Sequence, residues 1–271
     1  MQAAAVMLFL FLPTVIVAAG AVIGTLVVRE AFAPASLAKR QERAGAALPL
    51  LGGDALRRWG SALAQRIAGD RLQRRASRQT AIALAHELED EATQVIERSL
   101  PSIAAVREPQ CSDCSAQTIH VTVPETLAIV DELRQNASSH ELRRVRDRAR
   151  RNVEQMSRES TDASASTCCP LLSDDHRCAA FAARPLSCRG RCCPNCDQAA
   201  ETRSTTESDS PRLFAVTFGE GISAGLSQEL TKAGLDGRSY ELNRALTQAL
   251  DVPDAADRWL RGETVFEACG I

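Results

Sequence analysis

Aromatic side chains are scarce: two Trp, one Tyr and seven Phe among 271 residues. Two of the ten, Phe9 and Phe11, fall in the first dozen positions. That excludes a core built mainly on aromatic stacking and leaves Leu, Ala and Val to fill it, so another source of stability is expected. An excess of charge is also lacking. The formal net charge is −2, which gives no bulk electrostatic reason for a nucleic-acid or acidic partner. There are no internal repeats and no Gly-rich phosphate-binding loop, and Gly219-Glu-Gly221 alone is too weak a signal for a nucleotide. Wholesale disorder is excluded in turn by an apolar fraction of 45%.

The first 28 residues lack charge altogether. As a helix, Ala3–Val28 would be about 39 Å long, more than the roughly 30 Å of a bilayer's hydrocarbon core. The competing reading is a cleaved signal peptide, and Ala31-Phe32-Ala33 has the form of a cleavage site. No basic residue precedes the run, however, and it exceeds the roughly 7–15 residues of a signal-peptide core. An uncleaved single-pass anchor is therefore expected over residues 1–30. Arg29, Lys39, Arg40 and Arg43 follow the span, and the positive-inside rule then puts the C-terminal part in the cytoplasm. The basic stretch that follows could rest on anionic lipid headgroups or simply be solvated.

What the chain has in abundance is cysteine, and in one place. Of 10 cysteines, seven lie between Cys168 and Cys196. Cytoplasmic thiols stay reduced, so this clustering points to metal ligation and not to disulfides; a secreted chain would reverse that inference. A complete soft-metal site takes about four thiolate-type donors, from tight turns and loops. Cys111-Ser-Asp-Cys114 is a CxxC pair, Cys193-Pro-Asn-Cys196 is another, and Cys169, Cys178 and Cys188 lie between them in turn-like sequence. Arg177, Arg184 and Arg189 flank these donors and suit hydrogen bonding to anionic sulfur. Cys168, Cys192 and Cys269 are read as small packed groups, and His176 as an exposed turn residue. Cys111-Ser-Asp-Cys114 follows a polar turn and lacks the strand-to-helix context of a redox CxxC. Zinc and iron, including a 4Fe–4S cluster, both suit such donors.

The remaining pattern is mainly helical. Apolar spacing predicts helices over 54–75 and 77–99 and a short extended piece at Ile119–Val123. Thr122-Val-Pro-Glu125 has the form of a capping box that starts a helix, and Ser138-Ser-His-Glu141 repeats the device. The helix from Ser138 carries Arg143, Arg144, Arg146, Arg148, Arg150 and Arg151. Asp147, Glu154 and Glu159 interrupt them and no aromatics interleave, so a solvated face is expected and nucleic acid is not. Leu213–Phe218 reads as a short strand, followed by helices near 223–233, 239–250 and 254–261.

Cys169-Pro-Leu-Leu, Arg177-Cys178 and Arg184-Pro-Leu-Ser-Cys188-Arg189 together resemble the signature of the YkgJ-type cysteine-cluster family, a zinc- or iron-chelating domain. Cys111-Ser-Asp-Cys114 leading into Thr122-Val-Pro-Glu125, and the tail from Tyr240 to Glu263, are similar to it as well. One difference is Ser115, where the family pattern has a second cysteine. The resemblance covers residues 78–266. It implies thiolate metal binding by Cys111, Cys114, Cys169, Cys178 and Cys188; Cys196, from the Cys193-Pro-Asn-Cys196 pair outside the family pattern, is the sixth candidate ligand. Because the family includes a flagellin lysine N-methylase group, it also implies an alternative, a protein-lysine N-methylase-like enzyme with a metal centre. The expected organisation is an anchor over 1–30, a basic juxtamembrane helical region over 31–77 and a cysteine-cluster metal-binding domain over 78–266. The expected fold is mainly α, an N-terminal transmembrane helix followed by a small helical domain with cysteine-rich, metal-tied loops.

Overall fold

A computed structural model describes residues 52–72, 76–99, 118–158, 168–175, 177–189 and 211–266. The described elements, in chain order, are α1 (Gly53–Leu72), α2 (Arg78–Ser99), β1 (His120–Thr122), α3 (Val123–Asn136) and α4 (Ser139–Arg158). They continue with α5 (Leu186–Arg189), α6 (Pro211–Lys232), β2 (Ser239–Glu241), α7 (Leu242–Asp251) and α8 (Ala255–Leu260). The described residues are mainly helical, as the sequence implies.

The expected N-terminal transmembrane helix is corrected. No helix among the described residues is long and apolar enough to cross a membrane, and the uncharged run Ala3–Val28 lies outside those residues. The physical reason is visible in the long helices, whose apolar residues fill one face while charge recurs on the others. Even α6 carries Glu220, Glu229 and Lys232.

Helix α1 and helix α6 lie backbone to backbone. A Cβ built on Gly221 would sit 2.3 Å from the Arg57 carbonyl oxygen, and one on Gly225 would sit 2.3 Å from that of Ser61. From the other side, a Cβ on Gly60 would come within 2.5 Å of the Phe218 carbonyl. Glycine at these three positions removes the side chain that would hold the two helices apart. Leu63, Ala64, Ile67 and Ala68 of α1 then join the same apolar cluster as Ile222, Leu226 and Leu230 of α6. Leu213–Phe218, expected as a strand, is the first part of α6. Its apolar run meets α1 and α2 on one side, with Phe214 buried in a small cluster with Leu56 and Ile96.

The few aromatics are concentrated. Trp59 and Phe218 have ring centroids 4.6 Å apart, and Tyr240 and Phe266 are 5.6 Å apart. Trp259 is fully buried, and its Nε1–H donates to the Asp236 carbonyl at 2.9 Å. Elsewhere the core is aliphatic: Leu84, Leu88 and Ala92 of α2 pack with Leu127, Val130 and Leu133 of α3.

Local signals set the element ends. The Ser77 hydroxyl accepts the Thr80 N–H at 3.0 Å and starts α2. Thr122 and Glu125 form the full capping box at the start of α3, with Pro124 in its first turn. Ser138 accepts the Glu141 N–H at 3.2 Å and starts α4. Helix α6 ends in a Schellman motif. Gly234 has a φ of 74°, Gly234 N–H donates to Thr231 O at 3.0 Å, and Leu235 N–H donates to Leu230 O at 2.9 Å. The chain can then reverse into β2, which pairs antiparallel with β1 in the register His120–Glu241, Val121–Tyr240 and Thr122–Ser239. Residues 239–241 are thus strand and not the helical start expected there.

Candidate metal centre

Cys169, Cys178 and Cys188 lie on a segment with little regular structure of its own. The Leu172 N–H donates to the Cys169 carbonyl at 3.2 Å, closing a turn. Leu172 then faces Cys178 in an isolated antiparallel bridge. Ala179 N–H to Leu171 O and Ser173 N–H to Arg177 O, each 2.8 Å, complete this small hairpin. At its tip the Ser173 hydroxyl accepts the Arg177 N–H at 3.0 Å. The Ser173 hydroxyl also bonds the Asp175 carboxylate, and this bond holds that exposed carboxyl below its usual range.

Helix α4 supplies what the segment lacks. Arg144, Arg148 and Asn152 are spaced four apart and so share one face. Arg144 Nη1 meets Asp174 Oδ1 at 3.0 Å and Arg148 Nη2 meets the same oxygen at 3.6 Å. Arg148 Nη1 also donates to the Leu172 carbonyl. Asn152 Nδ2 donates to the Cys168 carbonyl at 2.7 Å and to Asn243 Oδ1 of α7 at 2.8 Å. The neighbouring ridge is engaged too. Arg146 and Arg150 each donate through Nε to one oxygen of Asp251, at 2.5 and 2.7 Å. Burial pushes the Asp251 carboxyl up, but the bonds from Arg150 and Arg146 outweigh it and hold the group below its usual range. Four arginines expected as a solvated face are therefore tied to the hairpin and to α7.

The far end of the segment is held differently. Leu186 N–H, at the start of α5, donates to Glu125 Oε1 at 3.0 Å. The Ser187 hydroxyl donates to the His120 carbonyl of β1 at 3.1 Å. Between hairpin and α5, the Arg184 guanidinium sits 4.2 Å over the Phe181 ring, and Arg184 is buried. Cys188 is buried within the main apolar cluster, while Cys169 and Cys178 are half-buried against it. Cys168 is exposed. A groove of about 400 Å³ opens beside Ser187, between α6 and the β1–β2 ribbon, lined by His120, Glu220, Ser223 and Ser239 among others.

Of the six expected ligands, Cys169, Cys178 and Cys188 are thus placed on one anchored segment. Cys111, Cys114 and Cys196 lie outside the described residues, as does His176. Among the described residues no three His, Cys, Asp or Glu side chains are grouped to hold a metal ion. The sequence reading missed Arg144, Arg148 and Asn152 as supports for the cysteine segment. Their four-residue spacing was the available signal; their partners, 16 to 30 positions away, carried none. No protein-family model matches this chain, and no curated protein or solved structure does.

Proposed function

We propose that this chain binds zinc or iron through cysteine thiolates, with iron–sulfur ligation included in the iron case. The observation that carries the reading is the anchoring of Cys169, Cys178 and Cys188. A segment with almost no secondary structure is held at both ends by hydrogen bonds from α4 and to Glu125. Such outside support suits donors that must be presented in fixed positions to a soft metal. The donor chemistry fits as well, since thiols provide the soft ligands that zinc and iron–sulfur centres use.

The described thiols do not complete a site by themselves. In this reading one or two of them share the metal with Cys111, Cys114 or Cys196. A metal shared with Cys111 or Cys114 links parts of the chain some 55 or more residues apart in sequence. Closure entropy rises only slowly with loop length, so such a link is thermodynamically accessible. Because the core is poor in aromatics, the metal's binding energy adds to folding energy. The metal's chemistry when bound is that of a thiolate-held centre, and the residues above hold and orient its ligands. Elemental analysis of the full chain, purified without oxygen, tests the reading. Zinc or iron near a whole number per chain supports it, and metal-free protein with reduced thiols contradicts it.

A further inference from the structure

We infer that the small hairpin of residues 169–175 and 177–179 is a latch. It swings away from α4 while the rest of the fold stays closed, and Arg148 holds it shut. The inference goes beyond the metal reading and does not depend on it. The hairpin has little regular pairing of its own. Its two sides are joined by the Leu172–Cys178 bridge and by N–H bonds from Ser173 and Ala179, and an isolated two-stranded hairpin is at best marginally stable in water. Leu171, 2% exposed, pins it to the main apolar cluster. Helix α4 grips it along one ridge, from base to tip. Asn152 holds the Cys168 carbonyl at the base, Arg148 the Leu172 carbonyl in the middle and Arg144 the Asp174 carboxylate near the tip. Arg148 acts at two of these points, because its Nη2 also lies 3.6 Å from Asp174. A charged donor makes one of the stronger hydrogen bonds, and its acceptor belongs to the residue that bridges Cys178. The Asp174 side chain is 86% exposed, so water and salt reach that part of the grip and weaken it. Segments held by solvent-reached polar contacts open at a lower free energy than the whole fold does. Opening uncovers the half-buried Cys169 and Cys178, which makes α4 the gate on their thiols.

Amide hydrogen exchange on the full chain tests this. The reporters are the Ser173, Arg177 and Ala179 amides, each bonded within the hairpin, with the amide of fully buried Leu88 in α2 as the core reference. In the wild type the hairpin amides should exchange faster than Leu88 and with a smaller dependence on urea, because their opening exposes less surface. Arg148→Met should speed the hairpin amides roughly 10- to 100-fold. Asp174→Asn, a milder change at an exposed site, should speed them about 2- to 5-fold, an effect that high salt removes. Arg146→Met is the control. It breaks the bond to Asp251 on α7, a contact that the opened hairpin would keep, so it should speed Leu88 and leave the hairpin amides unchanged. Hairpin amides that match Leu88 in rate and urea dependence would show that the segment opens with the whole fold, and the latch would be refuted. Wild-type hairpin rates in Arg148→Met, or equal acceleration by Arg146→Met, would refute the role of Arg148. Should Arg148→Met not fold, Asp174→Asn against Arg146→Met decides.

Discussion

Replacing Gly225 by Ala should destabilise the protein, although alanine is the better helix former. In a helix interior Gly→Ala is favourable by about 1 kcal/mol. Against this, the new methyl group at Gly225 would lie 2.3 Å from the Ser61 carbonyl oxygen, whereas ordinary contact begins at 3.4 Å. The backbones of α1 and α6 must then part by about 1 Å, the scale of shift at which overpacking costs roughly 1–3 kcal/mol or more. Separation also loosens Trp59 against Phe218, since these rings bridge the same two helices. The net expectation is a loss of about 1–2 kcal/mol. Gly69→Ala is the internal control. It lies in α1, and the nearest atom that a Cβ there would meet from another element is a Glu229 carboxylate oxygen at 3.5 Å, an ordinary contact. It should gain about 0.5–1 kcal/mol. In urea, with a slope near 2 kcal/mol per molar, the midpoint should fall by roughly 0.5–1 M for Gly225→Ala and rise by about 0.3–0.5 M for Gly69→Ala. A Gly225→Ala midpoint at or above the wild type would refute the close helix crossing.

Two further tests address the supports of the cysteine segment. Asn152→Ala strands the Cys168 carbonyl and the Asn243 side-chain oxygen, and it should cost about 1–3 kcal/mol in thermal or urea unfolding. Asp251 gives a pH dependence. Its folded-state pKa lies below the ordinary value, so its contribution is present above the unfolded pKa of about 3.9 and is lost as pH falls through the lower folded value. Asp251→Asn should therefore lower stability at neutral pH and flatten the acid limb of the stability–pH curve below about pH 4. An unchanged acid limb would show that the Arg146–Asp251–Arg150 group contributes nothing measurable.

Local signals in the sequence were legible where one residue type did one job. Thr122 and Glu125 announced the start of α3, and the apolar spacing of Ile82, Leu84, Ala85, Leu88, Ala92, Val95 and Ile96 announced α2. Tertiary effects were not legible. Leu213–Phe218 has the composition of a short strand, yet it is helical because α6 packs along α1 through Gly60, Gly221 and Gly225. Glycines that argue against a helix by propensity are required there by the close approach. Ser239–Glu241 is a strand of only three residues, too short for alternation to show. The arginines of α4 looked solvated because Asp174 and Asp251 are remote in sequence. At the site, the cysteines marked themselves by clustering, while the second use of Glu125 depends on a contact 61 positions away.

The central claim is that particular thiols hold a metal, and metal content per chain across single-cysteine variants tests it most directly. Cys178→Ser and Cys188→Ser should each lose most of the zinc or iron that the wild type retains, because a serine hydroxyl does not replace a thiolate's charge and softness. Cys168→Ser, altered at an exposed position beside the site, should keep it. Equal metal content in Cys168→Ser, Cys178→Ser and Cys188→Ser, whether full or nil, would contradict the assignment of ligands.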